Sequence, residues 1–123
     1  MIEVAAAVVM REGEVLLASR PADKPPAGWE FPGGKIEPGE TPFDTVRREL
    51  LEELDWAVVP EKELYTLRRE HITIVFVQAF PVPGSRPVPC ENQQCKWVSM
   101  SGKMPEGLLK NDEEFWNFLR GLK

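Results

Sequence analysis

A chain of 123 residues, 42% hydrophobic and 28% charged, is long enough for one ordinary core and is expected to form a single domain over residues 1–123. Its formal net charge of −5 argues against binding a nucleic-acid polymer, and no apolar run is long enough for a membrane-spanning helix. The opening "MIEVAAAVVMREGE" lacks a basic start and a cleavage site, so it reads as a strand and a cytoplasmic protein is expected. Cys90 and Cys95 then read as reduced thiols, and with His71 as the single histidine a zinc site of N and S donors is hard to assemble.

In chain order, "IEVAAAVVM" is a continuous apolar run suited to a buried strand, and "EVLLASR" returns after the turn "REGE" to make a hairpin. "PADKPPAGW" and "EFPGGKIEPGE" read as two loops, broken by Pro25, Pro26, Gly28, Gly33, Gly34 and Gly39. A helix follows, with Thr41 as cap, Pro42 in the first helical position, Asp44 three residues after the cap and Phe43, Val46, Leu50 and Leu54 as its buried stripe. "ELYTLRRE" and "HITIVFVQAF" are two further strands, joined through the proline-rich connection "PVPGSRPVP" to a last strand, "QCKWVSM". "NDEEFWNFLRGL" is a terminal helix with Phe115, Phe118, Leu119 and Leu122 on one face. Strands, helix, strands, helix is the order of a mixed sheet with a helix on each face.

The helix after Thr41 poses the chemical question. Glu49, Glu52 and Glu53 lie three and four residues apart and project together, although like charges at that spacing destabilise a helix by roughly 0.2–0.5 kcal/mol per pair. A solvated acidic face with Arg47 and Arg48 as partners is one explanation. A hard divalent cation among the carboxylates is the other, and the glycine-rich loop just before the helix can approach a metal or phosphate closely.

Gly34, five residues, Glu40, seven residues and then "RELLEE" (Arg48 to Glu53) reproduce the pattern G-x5-E-x7-R-E-U-x-E-E-x-G-U, where U is bulky and apolar, over residues 34–56. The chain thereby resembles the Nudix family, and "VLLASRPADKPPAGWEFPGGKIEPGET" and "HITIVFVQAF" extend the likeness to its MutT-type members. The sequence departs from the pattern at Asp55, where the box has glycine, and at Arg69-Glu70, where the MutT pattern has Asp-Arg. Glycine would suit a left-handed helix stop, so Asp55 is expected to cost about 1 kcal/mol or to alter the exit turn.

The resemblance implies a Nudix α/β/α sandwich with a mixed, mostly antiparallel central sheet. It implies that Glu49, Glu52 and Glu53 bind Mg²⁺, with Mn²⁺ as a substitute, that the Gly34 carbonyl joins them, and that Glu91 adds a further acid from a loop. Glu40 and Arg48 fall on bracing positions, and Arg48 is expected to pair with a box carboxylate. Glu53 is the first choice for the group that takes a proton from or orients the water, and Glu91 the second. Arg20, Phe31 and Asn111 are implied near the nucleotide, where an Asn amide can read a purine edge and Phe31 can pack on a base. Each has a bland reading: a strand end for Arg20, core for Phe31, and for Asn111 a helix cap whose box Glu114 completes. His71 reads as structural.

The implied reaction is attack at the β-phosphorus of a nucleoside triphosphate, giving the monophosphate and pyrophosphate, with 8-oxo-dGTP as favoured substrate in nucleotide-pool sanitising and hence DNA repair. CTP, dCTP or a methylated cytidine nucleotide, ADP-ribose, and a non-catalytic nucleotide sensor are the alternatives. The expected partner is a small-molecule nucleotide, with no nucleic-acid polymer or membrane, and the protein a monomer or homodimer.

Overall fold

The fold is built around its first strand. In the computed structural model, which describes residues 1–20, 25–89 and 93–122, β1 (Ile2–Arg11) is hydrogen-bonded along its length on both edges. On one edge it runs parallel to β6 (Ile72–Pro81), from Ile2 opposite Ile72 to Val9 opposite Ala79. On the other edge β4 (Gly33–Lys35) pairs antiparallel with its start and β2 (Glu14–Ser19) with its end. β5 (Val58–Arg68) lies antiparallel beyond β6, and β2 also pairs with β3 (Trp29–Glu30) and β7 (Cys95–Ser99). The sheet is therefore mixed, with one parallel pair among antiparallel ones, as the Nudix resemblance implied.

Because side chains alternate along a strand, β1 feeds two cores. Ala6 and Val8 join Phe76, Phe115, Trp116 and Leu119 on the face covered by α2 (Lys110–Arg120). Ala5, Ala7 and Val9 join Val46, Leu50, Leu54 and Trp56 on the face covered by α1 (Pro42–Leu54). The small alanines let neighbouring backbone come close: a Cβ on Gly33 would stand 2.1 Å from the Ala5 carbonyl oxygen. Glycine at position 33 is thus required by the β1–β4 pairing.

α1 starts as expected. Thr41 Oγ1 accepts from the Asp44 N–H at 3.2 Å, the Thr41 N–H donates to Asp44 at 3.0 Å, and Pro42 occupies the first turn. Asp55 itself takes the left-handed conformation the box reserves for glycine (φ 47°, ψ 42°), so the exit turn is retained. Trp56 is buried behind it and donates from Nε1 to Ser85 Oγ at 3.0 Å. The proline-rich connection doubles back over this end of α1, where Val88 N–H donates to the Leu54 carbonyl at 2.7 Å.

Several expectations need correction. The segment read as a second loop contains β3 and β4, short strands that a glycine-rich sequence conceals. The terminal helix is capped by Leu109 without a side-chain hydrogen bond, so Asn111 is not its cap and Glu114 completes no capping box. Its buried residues are Asp112, Phe115, Trp116 and Leu119, whereas Leu122 lies beyond the helix and is exposed. His71 stands exposed in the β5–β6 turn, its Nε2 3.6 Å from Glu70 Oε1, and its backbone carbonyl accepts from the Ile2 N–H at 3.0 Å. Cys95 is a half-buried free thiol, and Cys90 lies outside the described residues. Among the described residues no helix is long and apolar enough to cross a membrane.

Relieving the left-handed strain should stabilise the chain. Asp55→Gly is expected to raise unfolding free energy by about 1 kcal/mol, less what glycine adds to unfolded-chain entropy. Thermal unfolding should then shift upward by a few degrees, with turnover unchanged.

Candidate active site

The acidic loop and helix are held by one arginine. Arg48 donates from Nε to Glu40 Oε2 at 2.7 Å and from Nη2 to Glu40 Oε1 at 2.9 Å and to the Lys35 carbonyl at 3.0 Å. Its remaining nitrogen, Nη1, donates to Glu49 Oε2 at 2.9 Å and Glu52 Oε1 at 3.1 Å. Glu40 also accepts from the Glu37 N–H at 2.9 Å and the Thr45 hydroxyl at 2.9 Å. Donation by Arg48, then by the Glu37 amide, holds the Glu40 carboxyl down at about 2. These contacts match the bracing expected for Glu40 and Arg48.

Glu49 and Glu53 face a different situation. Burial first, and the hydrogen bond and charge of the adjoining Glu49 carboxylate second, push Glu53 up to about 8. Gln93 Nε2 donates to Glu53 Oε1 at 3.4 Å and to the Ser19 carbonyl at 3.2 Å, tying the glutamate to the end of β2. Gly34 lies beneath: a Cβ there would stand 2.4 Å from the Glu49 carboxyl carbon. Among the described residues no three carboxylates converge as a ready ligand cluster, because Arg48 draws Glu49 and Glu52 to itself while Glu49 and Glu53 bond to each other. The donor set nevertheless fits a hard divalent cation. It offers oxygens only, and it crowds negative charge. Glu91 lies outside the described residues.

Two concavities meet at this point. A cleft of about 970 Å³ is lined by Glu37, Glu49, Glu52, Glu53 and Gln93, and a narrower one of about 390 Å³ has Val4, Ala6, Ile72 and Ile74 as its apolar floor. Arg20, Glu30, Gly33, Gly34 and Lys35 line both, so one opens into the other. Arg20 Nη1 bonds Glu30 Oε1 at 3.2 Å along this shared wall.

The start of α2 forms the narrow cleft's other wall, bringing in Asn111 and also Asp112, which the sequence reading missed. Asp112 Oδ2 accepts from the Phe31 N–H at 3.0 Å, and burial pushes this carboxyl up to about 7, with the Phe31 amide opposing and Glu30 adding to the rise. The only signal for it in sequence was an acid out of phase with the helix's polar face, one turn before Trp116. Phe31 lines the cleft but is only 3% exposed, its ring set edge-on against Phe76 and Phe115 at 6.0 and 5.2 Å. Its side chain is therefore mostly core, which is the bland reading of this residue.

With this geometry in hand the family is plain. The chain belongs to the Nudix family, whose NUDIX domain model matches residues 1–117, and enzymes of this family generally use a divalent metal on small nucleotide substrates. It is 46% identical over 85 residues to the CTP pyrophosphohydrolase of Escherichia coli (strain K12), a stretch covering 68% of this chain and 63% of that protein. It is 37% identical over 109 residues, 82% of each chain, to the 8-oxo-dGTP diphosphatase of the same organism. Among solved structures, the E. coli ORF135 protein superposes with a TM-score of 0.78 at 34% identity, covering 100% of this chain and 93% of that one. A structure from work on MutT of Aliivibrio salmonicida and Vibrio cholerae gives 0.81 at 25% identity, covering 99% and 98%.

Two glycine substitutions should separate site from scaffold. In Gly34→Ala the new methyl meets the movable end of Glu49, so stability should fall by less than about 1 kcal/mol while turnover drops tenfold or more (about 1.4 kcal/mol of barrier). In Gly33→Ala it meets backbone, so denaturant melts should show a loss of about 2 kcal/mol or more.

Asp112 should leave a pH signature. A carboxyl whose folded value lies above its ordinary 3.8 binds more protons folded than unfolded, so its contribution to stability is lost as pH rises from about 4 to about 7. Asp112→Asn should therefore gain melting temperature relative to the parent chain across that window and keep the gain above it.

Proposed function

We propose that this chain is a Mg²⁺-dependent pyrophosphohydrolase that cleaves modified nucleoside triphosphates to the monophosphate and pyrophosphate, with Mn²⁺ able to replace Mg²⁺. The observation that carries the reading is the junction of the two clefts: an acidic trough sized for a phosphate chain opens into an apolar slot sized for a base. Glu49, Glu52, Glu53 and the Gly34 carbonyl would hold the cation, which when bound supplies charge neutralisation on the phosphates and a more acidic water. Arg48 orients Glu49 and Glu52 through Nη1, while its bidentate bond to Glu40 fixes the loop. Lys35 and Arg20 stand along the shared wall, within the path from trough to slot. Glu53, steered by Gln93, is the group to accept a proton from the attacking water once a bound cation has displaced its own proton and left it a carboxylate, and Glu91 is the second choice.

The base is read by the start of α2. Asn111 presents a donor and an acceptor, and beside it an ionised Asp112 accepts from adjacent N–H groups on a guanine edge, which supports 8-oxo-dGTP. Neutral Asp112 instead donates through its hydroxyl and accepts through its carbonyl, the pattern that matches N3 and the amino group of cytosine, and this favours CTP or a methylated cytidine nucleotide as the second reading. The named activities of the two E. coli relatives support both. Operation as a cytoplasmic monomer or homodimer completes the proposal.

A turnover panel with Mg²⁺ over 8-oxo-dGTP, dGTP, CTP, 5-methyl-dCTP and ADP-ribose, scored for pyrophosphate, tests it. One triphosphate should dominate, and Glu53→Gln should lower its kcat about a hundredfold (on the order of 2.7 kcal/mol of barrier). Phosphate rather than pyrophosphate, or no turnover with the metal bound, would sink the proposal.

A further inference from the structure

The helix that lines the base slot is not secured by its own cap. Leu109 contributes no side-chain bond to the first turn of α2, yet that turn carries Asn111 and Asp112. It is secured instead from two sides. Towards β3, the Leu109 N–H donates to the Trp29 carbonyl at 2.9 Å, and the Phe31 N–H donates to Asp112 at 3.0 Å. Towards β5, Tyr65 Oη donates to Glu114 Oε2 and Arg69 Nη2 donates to Glu114 Oε1 at 2.6 Å, so each carboxylate oxygen has its own donor.

The second attachment reaches the slot through two elements at once. Arg69 sits in the turn leading to β6, its N–H bonded to the Ile72 carbonyl at 2.8 Å, and Ile72 and Ile74 are part of the slot's floor. Glu114 lies three residues after Asn111, on the same side of α2. Holding Glu114 therefore fixes the rotation of α2 about its axis, and with it the height of Asn111 and Asp112 above the floor. The Tyr65 ring, 4.7 Å from Phe118 between centroids, backs the contact from the next turn. Arg69 also belongs to the residue pair at which this chain departs from the MutT pattern, so the clamp comes from this chain's own sequence.

We propose that Tyr65, Arg69 and Glu114 form a positioning clamp that sets the width of the base slot and thereby the choice among nucleobases. The proposal rests on the function inferred above. None of the three residues lines either cleft, so they act through α2 and not by touching the nucleotide. The Arg69 and Glu114 side chains are 47% and 43% exposed, and an ion pair so exposed contributes little to global stability. Loss of the clamp should therefore loosen one wall without unfolding the chain, which separates a positioning role from a merely structural one.

The test uses the full chain with Mg²⁺ and the variants Glu114→Gln, Tyr65→Phe, Arg69→Met and Arg69→Lys. KM should rise roughly three- to tenfold for the preferred triphosphate, its advantage over the others should shrink by the same factor, and kcat should stay within about twofold. Arg69→Lys should recover part of the loss, and the Arg69→Met/Glu114→Gln double variant should be little worse than the worse single. Unchanged KM and unchanged selectivity would overturn the clamp, as would a uniform loss across all nucleotides that tracks a falling melting temperature. Amide exchange provides a readout independent of turnover: residues 110–114 should exchange faster in Glu114→Gln while β1 and β6 stay protected. If the parent chain hydrolyses no triphosphate, the proposed function fails, and exchange alone judges the clamp, with unchanged rates at 110–114 overturning it.

Discussion

The whole acidic cluster of loop and helix depends on the Arg48 guanidinium. Acidic groups crowd the loop and the helix, and a half-buried cation with a planar fork of donors is what allows them to stay there. Two of its donors close on Glu40, which anchors the loop, and the third nitrogen gathers Glu49 and Glu52 from the helix. A lysine could neutralise the same charge but could not join Glu40, Glu49, Glu52 and the Lys35 carbonyl in fixed directions. Glu53 is held instead by Gln93, and burial beside Glu49 raises its carboxyl to about 8. Arg48 thus bonds three of the acids on the loop and helix, Glu40, Glu49 and Glu52.

The scaffold keeps the acidic trough and the apolar slot on separate elements that share one wall. α1 and β4 line the trough, whereas the start of α2 with β1 and β6 lines the slot, and β4 borders both. Asn111 and Asp112 therefore stand on a different element from the arginine brace and the acids it holds.

How much of this was legible in sequence follows from the range of the interactions. Residues 34–56 hold the brace, the cap and the carboxylates within one loop and one helix, so local spacing and its match to the Nudix box located them. The α1 stripe and the buried first strand were readable for the same reason, since periodicity is local. β3 and β4 were not, because their glycines and aromatics acquire strand character only by pairing with β2 and β1. Asp112 was hidden more deeply: its partner, the Phe31 amide, is 81 residues away, and its place one turn before Trp116 is the one local sign of its burial. Glu114 misled for the opposite reason, as its spacing from Asn111 imitates a capping box while its partners are Tyr65 and Arg69.

The parallel β1–β6 pairing has a consequence for how the chain acquires its structure. β1 ends up between two strands, but the longer of those seams, Ile2–Val9 against Ile72–Ala79, joins the first strand to one that follows α1 and β5. During synthesis the first strand emerges with its partner still unmade, and only the β2 hairpin and the short β4 contact are available to it. Closing so long a loop must precede the reward of burying either core, which raises the entropic barrier that the transition state has to cross. An apolar strand of alanines and valines waits, unpaired along that edge, until β6 arrives to cover it.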